Sequence, residues 1–223
     1  MKQTLVGAIG VVTLVLSSCT SPPPQSLSQP PRVTRPIVDD SSYCAVVVGK
    51  LAAEGIGTAE IDFRRFRQSC FVNGQGEADP TLRRDLNTAI KEERCADAVE
   101  LAESLLLSDF ADIRTHVHKA YCHKKMGEIE TYRSHMYFAS GMIHSIVDGR
   151  TGRSMDDAFE VFLVSNEYGV LEYLELQLKS QSLVTRDGRS YDQMTCVNKR
   201  GDEVTIYFDV TQHMNRLAAR MGG

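Results

Sequence analysis

The stretch LELQLKSQSLVTRDGRSYDQMTCVN, residues 174–198, sets the fold class of this chain. From Leu174 to Lys179, leucine alternates strictly with polar residues, which is typical of a β-strand. Further along, Asp187-Gly188 is a strong signal for a two-residue hairpin turn. We therefore predict three strands, near 174–186, 190–198 and 203–211, which close the chain as an antiparallel meander.

The region before these strands has apolar residues at the three-and-four spacing that predicts α-helices. Two short helices flank the break at Gly55-Ile56-Gly57. A further helix begins at Pro80, with Asp79 as its N-cap, because proline is favoured at the first helical position. From Pro80 onward the spacing predicts four helices with short connections.

A period of 34 residues relates the turns near Glu93 and Gly127. The stretch 81–146 therefore resembles two degenerate tetratricopeptide repeats. A pair of αα-hairpins that pack together without being such repeats has almost the same pattern. The predicted fold class is α+β. Repeat-like helical hairpins in 43–147 precede an α/β region in 148–223, and the two regions form one compact unit.

The amino terminus has the pattern of a secretory signal. Lys2 precedes an apolar run from Leu5 to Leu16, which is too short to span a membrane. The run ends in Leu16-Ser17-Ser18-Cys19, which resembles the lipobox of bacterial lipoproteins at all four positions. An ordinary signal peptide with a chance cysteine is the alternative.

The lipobox resemblance implies cleavage after residue 18 and a lipid on the Cys19 thiol and its freed amine. Thr20 stands where enterobacterial lipoproteins retained in the inner membrane carry Asp, so we expect an outer-membrane anchor that faces the periplasm. Several acyl chains hold a protein on a membrane stably, so the folded part needs no lipid contact of its own. Residues 19–42 contain six of the seven prolines and predict an unfolded linker.

Composition indicates an ordinary globular protein and argues against nucleic acid as a partner. The chain has 25 Lys and Arg against 29 Asp and Glu, with 42% hydrophobic residues. A net charge of −4 gives no positive field to hold a phosphate backbone. No GxSxG, HExxH, CxxC or GxGxxG motif occurs, so the sequence favours a protein without enzyme activity and predicts no cofactor.

A wider set of residues resembles a bacterial domain family of unknown function, over nearly all of Tyr43 to Val210. That family implies the architecture and no activity. At the position where relatives carry glycine this chain has Glu175, so the residue at which the first strand begins is not fixed by the resemblance. The residues that carry the resemblance are Asp62, Phe63, Arg67, Gly141, Ser145, Asp148, Gly149, Glu167, Tyr168, Gln181, Ser182, Leu183, Tyr191, Asp192, Tyr207, Phe208 and Asp209.

Five cysteines remain if Cys19 carries lipid, and an oxidising compartment favours disulfides between them. Cys95 with Cys122 is the first candidate pair, because a disulfide between them would link two repeat-like helices covalently. Cys44 with Cys70 is the second, joining the two amino-terminal helices. Cys196 is then a spare thiol in a strand.

Two further clusters have structural interpretations that we favour over functional ones. Five histidines crowd two neighbouring helices, and His118 lies four residues before Cys122, but no standard zinc spacing is complete, so we predict no metal. The glycine-rich run 148–154 resembles an anion-binding loop but lacks a Walker lysine. We interpret it as a polar connector with Ser154 as an N-cap. The histidines are His116, His118, His123, His135 and His144.

The sharpest site hypothesis comes from strand register. If the last hairpin turns through two or four residues around Arg200-Gly201, Asp192 faces Asp209 and Met194 faces Tyr207. Two opposed carboxylates require a cation, a raised pKa or a basic neighbour. Such a pair is therefore a candidate for a catalytic site or a calcium site. A three- or five-residue loop instead shifts the pairing by one residue.

The function these patterns favour is that of a lipid-anchored periplasmic protein that holds a protein or peptide partner on a concave surface of its repeat-like helices. A hydrolase or cation-binding protein that uses Asp192 and Asp209, with Tyr207 beside them, is the first alternative. A purely structural component of the envelope is the second.

Overall fold

The computed structural model describes residues 41–56, 60–74 and 79–222. The predicted signal segment, Cys19 and the linker up to residue 40 lie outside them. No described helix is long and apolar enough to cross a membrane. The elements are α1 (Ser41–Glu54), α2 (Phe63–Val72), α3 (Pro80–Lys91), α4 (Cys95–Ser108), α5 (Ile113–Lys125), α6 (Ile129–Val147), β1 (Phe159–Glu160), α7 (Ser165–Tyr173), β2 (Gln177–Arg186), β3 (Arg189–Val197), β4 (Glu203–Asp209) and α8 (Thr211–Met221).

Helices come first and strands later, which confirms the α+β class. The first two helices, α1 and α2, are joined by a disulfide between Cys44 and Cys70, whose Cα atoms are 5.0 Å apart. The Cys44 amide also donates to the Ser69 hydroxyl at 2.7 Å. At the start of α2, the Asp62 carboxylate caps the helix by accepting from the Arg65 amide at 3.0 Å.

The four helices α3 to α6 begin and end close to their predicted positions. Asp79 accepts from the Thr81 amide at 2.7 Å and Pro80 is the first residue of α3, as predicted. Glu93 and Gly127 both have positive φ, and a new helix begins two residues after each. The 34-residue period thus recurs as one turn geometry, while membership of the tetratricopeptide class stays a prediction.

The strands form a sheet in the order β1-β4-β3-β2, in which β1 runs parallel to β4 and the other pairs are antiparallel. Asp187 and Gly188, both with positive φ, form the predicted two-residue turn between β2 and β3. Three elements were not predicted: β1, which is only two residues long, the helix α7, and α8, which replaces the expected end of the last strand.

The first predicted strand starts too early. Leucine alternation placed its start at Leu174, but Leu174 caps α7, Glu175 has a φ of 56°, and β2 begins only at Gln177. The alternation of leucines does not mark a strand here, because α7 continues to Tyr173 and ends through a residue in the left-handed conformation. Glycine favours that conformation, and Glu175 adopts it here.

The predicted pairing of Asp192 with Asp209 is wrong. Asp192 lies opposite Phe208, and Asp209 lies opposite Tyr191. The cause is a five-residue connection, 198–202, that shifts the register by one position relative to the predicted turn. Since neighbouring positions of a strand point to opposite faces, the two carboxylates lie on opposite faces of the sheet.

The main hydrophobic core joins the amino-terminal helices and α6 to one face of the sheet. Phe66, Phe138, Met194 and Phe208 are fully buried in it. Phe63 packs directly on Gly141, where a Cβ atom would lie 2.1 Å from the ring. A second, smaller cluster lies among α3, α4 and α5 and consists of Leu86, Ala89, Ala98, Ala102, Leu105 and Cys122.

Candidate functional site

Strand β2 forms one edge of the sheet, and within the described residues no further strand pairs with it. In a two-residue hairpin the residues that flank the turn, here Arg186 and Arg189, exchange both backbone hydrogen bonds. The pattern then alternates along the strand. The amide and carbonyl groups of Gln181, Leu183 and Thr185 therefore point away from β3, toward the open edge.

Both faces of β2 are also exposed. Of its ten residues, only Val184 is half-buried and the others are exposed. Leu183 pairs with Asp192 and Leu178 pairs with Cys196, so both leucines lie on the face that forms the core further along the sheet. Leu183 nevertheless has 51% of its surface exposed and Leu178 has 37%. The apolar face of the sheet thus continues onto an edge strand whose two leucines the described chain covers only in part.

Polar contacts with α7 and β3 hold this edge strand in place. The Tyr168 hydroxyl donates to the Gln181 side-chain carbonyl at 3.3 Å. In turn the Gln181 amide donates to the Asp192 carboxylate at 2.8 Å. Gln181 is exposed, whereas Asp192 is buried, so the chain of hydrogen bonds runs from the surface into the protein.

Glu167 extends this chain into the core. It is fully buried, and no donor reaches either of its carboxylate oxygens. Burial, then the charge of Asp192 and a hydrogen bond with it, raise the pKa of Glu167 to about 10. Since its pKa is raised to about 10, Glu167 is protonated at neutral pH and its carboxyl group can donate to Asp192.

One flank of the acid pair is formed by α8. The negative charge of Asp192 acts on the half-buried His213, but burial and then the nearby Arg216 guanidinium lower the pKa of His213 overall. Arg216 itself donates to the Phe71 carbonyl at 2.8 Å and lies over the Phe71 ring. His213 is therefore neutral at neutral pH and does not neutralise the acids.

Asp209 and Tyr207 lie elsewhere. Asp209 forms an ion pair with Arg189 and accepts from the Thr211 hydroxyl at 2.6 Å, so it fixes the start of α8. Tyr207 lies opposite Gln193, and its amide donates to the Gly152 carbonyl at 2.8 Å. The structure thus brings Asp192 together with Glu167 and separates it from the two other predicted site residues.

The helical part buries His116, His123 and His135, whereas His144 is exposed. The Nδ1 atoms of His116 and His135 are 2.9 Å apart, and the His116 Nε2 atom lies 2.9 Å from the Phe110 carbonyl. Burial lowers the pKa of His116 to about 4 and that of His135 to about 2. Across the described residues, no group of three or more His, Cys, Asp or Glu side chains could hold a metal ion.

The glycine-rich run makes its polar contacts with the residues that follow it and with β4. The Thr151 amide donates to the Asp157 carboxylate at 2.8 Å, and the Gly152 amide donates to the Asp157 carbonyl at 3.0 Å. Only a single 3-10 turn follows, Met155–Asp157, and the Ser154 side chain makes no capping hydrogen bond with it, so the predicted N-cap is not formed. These contacts support the polar connector rather than an anion-binding loop.

Of the four candidate cysteines, Cys44 and Cys70 are bonded to each other. Cys95, Cys122 and Cys196 are free thiols, of which Cys122 and Cys196 are buried. The bridge between Cys95 and Cys122 stays a prediction.

Sequence reasoning missed Glu167 as the partner of Asp192. The family resemblance was the one signal that could have pointed to it. Four of the residues on which that resemblance depends meet here in one hydrogen-bonded set: Glu167, Tyr168, Gln181 and Asp192. No pattern in a single sequence joins α7 to the middle of β3. Only the packing of the helix against the sheet brings these residues together.

Comparison with known families gives one result. The model of a family described as a domain of unknown function, DUF4919, matches residues 75–218. This range is more than half of the chain and runs from just before α3 into α8, so α1 and the disulfide to α2 precede it. No curated protein and no solved structure matches the chain. The chain therefore belongs to the DUF4919 family.

Proposed function

We propose that this protein is a lipid-anchored protein of the cell envelope whose edge strand β2 binds an extended segment of a protein partner. The lipobox at Leu16-Ser17-Ser18-Cys19 and the proline-rich residues after it support the anchor and the tether. The disulfide between Cys44 and Cys70 fits an oxidising compartment such as the periplasm. Contact with the membrane is through the anchor alone.

The observation that carries the binding function is the open edge of β2. Unpaired amide and carbonyl groups on an exposed edge bind a further strand through main-chain hydrogen bonds. The partner supplies apolar side chains at alternate positions, because these cover Leu178 and Leu183 and extend the core by one strand.

The buried set beneath the edge supports this function. Gln181 lies on β2 between the two exposed leucines and is held by Tyr168 and Asp192. Edge strands that bind partners benefit from a fixed position, since less conformational entropy is lost on binding. We therefore assign the acid pair a positioning role and no catalytic one.

The test places a photo-crosslinking amino acid at Ser182, on the edge strand, in the native envelope. We expect an adduct with a partner, and no adduct from the same probe at Leu107, which is 87% exposed on α4. Thr185→Pro removes an outward amide, so it should abolish the adduct while circular dichroism stays unchanged.

Four outcomes would contradict the proposal. Equal adducts from Leu107, or adducts that survive Thr185→Pro, would mean that β2 is not the binding element. An adduct of twice the chain mass would make the occupant a second copy. Absence of any adduct would leave a structural envelope component. Separately, mass spectrometry should find lipid on Cys19, and an uncleaved chain would overturn the anchor.

A further inference from the structure

We propose that a cavity between the start of α2 and the end of α6 binds a free amino acid, with its carboxylate toward arginine side chains and its ammonium group toward aspartates. The cavity has a volume of about 450 Å³, which lies within the range of small-molecule sites. Glu160 of β1 lines it, so it lies at the opposite edge of the sheet from β2. This inference therefore does not depend on the proposed function.

The lining of this cavity combines apolar and charged side chains. Its apolar part consists of Ile61 and Ile146, which are buried, and of the half-buried Phe63. Such a lining suits a ligand that carries its charges on one part and carbon on another. The charged residues that line the cavity are Asp62, Arg64, Asp148, Arg150 and Glu160.

A buried arginine, Arg67, lies directly behind the cavity. It donates to the hydroxyl and carbonyl groups of Ser145 and to the carbonyl group of Glu160, and both of these residues line the cavity. All three acceptors are neutral. A buried cation with neutral partners is stabilised by any negative charge that comes close to it, because its surroundings have a low dielectric constant.

Two further arginines line the cavity itself. Arg64 donates to the Glu160 carboxylate at 2.9 Å, and Arg150 donates to the Ala158 carbonyl group. With Arg67 behind them, three guanidinium groups lie at this wall together with one carboxylate. A guanidinium group has five N–H donors in a planar set that matches a carboxylate. We therefore expect Arg64 and Arg150 to contact the carboxylate of the ligand.

Two aspartates favour a ligand that also carries a positive charge. Asp62 and Asp148 line the cavity, and both are exposed. With Arg67 included, three arginines and three carboxylates meet at the site, so their formal charges cancel. A ligand with both charges and no net charge matches this arrangement. A phosphate ion matches it less well, because the aspartates repel it.

The glycine-rich run 148–154 contributes to this site through side chains. Its first and third residues, Asp148 and Arg150, line the cavity. An anion-binding loop would instead hold its ligand with backbone amides at the start of a helix. The site is thus a different one from the loop that the glycine pattern resembles.

The test titrates the isotope-labelled full chain, carrying Cys19→Ala, with each common amino acid in turn and follows the backbone amide signals by NMR. At concentrations up to about 10 mM we expect at least one amino acid to shift the signals of Arg64, Ser145 and Asp148 to saturation. Its methyl ester lacks the carboxylate and its N-acetyl form lacks the ammonium group. Each of these should bind at least about tenfold more weakly.

Three results would overturn this proposal. The first is that no amino acid shifts these signals. The second is that either blocked form binds as tightly as its parent amino acid. The third is that inorganic phosphate saturates the same signals while no amino acid does, because this would indicate a simple anion site.

Single variants test the assigned contacts. Arg64→Gln removes a cation and Asp148→Asn an anion, and each should weaken binding at least about tenfold. Both residues are exposed, so circular dichroism should stay unchanged. Arg133→Gln is the matched control, because Arg133 is exposed on the same helix α6 and pairs with Glu130 at 2.7 Å. It should bind like wild type, and unchanged binding by Arg64→Gln and Asp148→Asn would contradict the assignment.

Discussion

Glu167 is protonated in the folded protein at neutral pH, and its proton takes part in a hydrogen bond that stabilises the structure. As a neutral carboxyl group it donates to Asp192, and Asp192 in turn accepts from Gln181 on the edge strand. Ionisation of Glu167 would place two buried negative charges in contact. The position of β2 is thereby linked to the protonation of a residue in the core.

This linkage predicts how stability depends on pH. The pKa of Glu167 is raised from its ordinary value of 4.5 to about 10, so between these values the folded state binds a proton that the unfolded state has lost. Stability must therefore fall as the pH rises through this range. Glu167→Gln donates to Asp192 without a titrating proton. We expect this variant to be more stable than wild type by on the order of a few kcal/mol at pH 8, with a small difference near pH 4.

Urea unfolding at pH 4, 6 and 8 measures this effect. Glu172→Gln is a suitable control, because Glu172 lies on the same helix but is exposed, and its loss should change stability by less than about 1 kcal/mol. Parallel pH curves for wild type and Glu167→Gln would show that Glu167 is ionised in the folded protein.

At the scale of elements, helix ends were easier to predict than strand register. Asp79-Pro80 and the turns at Glu93 and Gly127 are local signals, since the residues that stop or start a helix are neighbours in sequence. Register depends on loop length, and one residue more or less moves a side chain to the other face. The prediction for Asp192 and Asp209 failed for this reason.

The missed elements fail for a related reason. A two-residue strand such as β1 has no periodicity, and its pairing with β4 joins segments that lie far apart in sequence. Helix α8 follows β4 after a single residue, Val210, so no turn signal separates them. The exposure of β2 could not be predicted from the sequence either. Alternating leucines predict that one face of a strand is buried, but they do not show at which strand the core ends.

Within the described residues, α3, α5 and α7 end in one motif that can be followed completely, and only one of these three helices ends with the favoured residue. In α3, α5 and α7 the hydrogen bonds after the last turn are those of a Schellman motif, with Glu93, Gly127 and Glu175 as the left-handed residue. A residue with a Cβ atom has a cost of about 1 kcal/mol in this conformation. The sequence departs from glycine at two of three equivalent places.

We therefore expect Glu175→Gly to raise the free energy of unfolding by about 0.5–1 kcal/mol, and Gly127→Ala to lower it by a similar amount. Chemical denaturation measures both. Glu175 also pairs with Lys199 at 2.5 Å, but both side chains are exposed, so Lys199→Ala should have little effect and controls for the lost ion pair. A loss of stability in Glu175→Gly would mean that the ion pair outweighs the backbone strain.

At the scale of the whole molecule, one buried cation joins the helical part to the sheet. Arg67 on α2 donates to the Ser145 hydroxyl and to the Ser145 carbonyl at the end of α6, both at 2.9 Å. It also donates to the Glu160 carbonyl of β1 at 3.2 Å. Burial lowers the pKa of Arg67 to about 10, so it remains charged at neutral pH. Composition cannot predict such a site, because arginine is ordinarily exposed.

This geometry makes Arg67→Lys a test of whether the two regions fold as one unit. Lysine keeps the charge but lacks the planar set of donors, so it leaves buried carbonyl groups unpaired, and we expect a loss of about 2–4 kcal/mol. Hydrogen exchange should then accelerate equally in α6 and in β3, because both depend on the same junction. Arg64→Lys is the control, since Arg64 pairs with Glu160 at the surface and should change stability by no more than about 0.5 kcal/mol. Faster exchange in α6 with β3 unchanged would instead mean that 43–147 and 148–223 unfold separately.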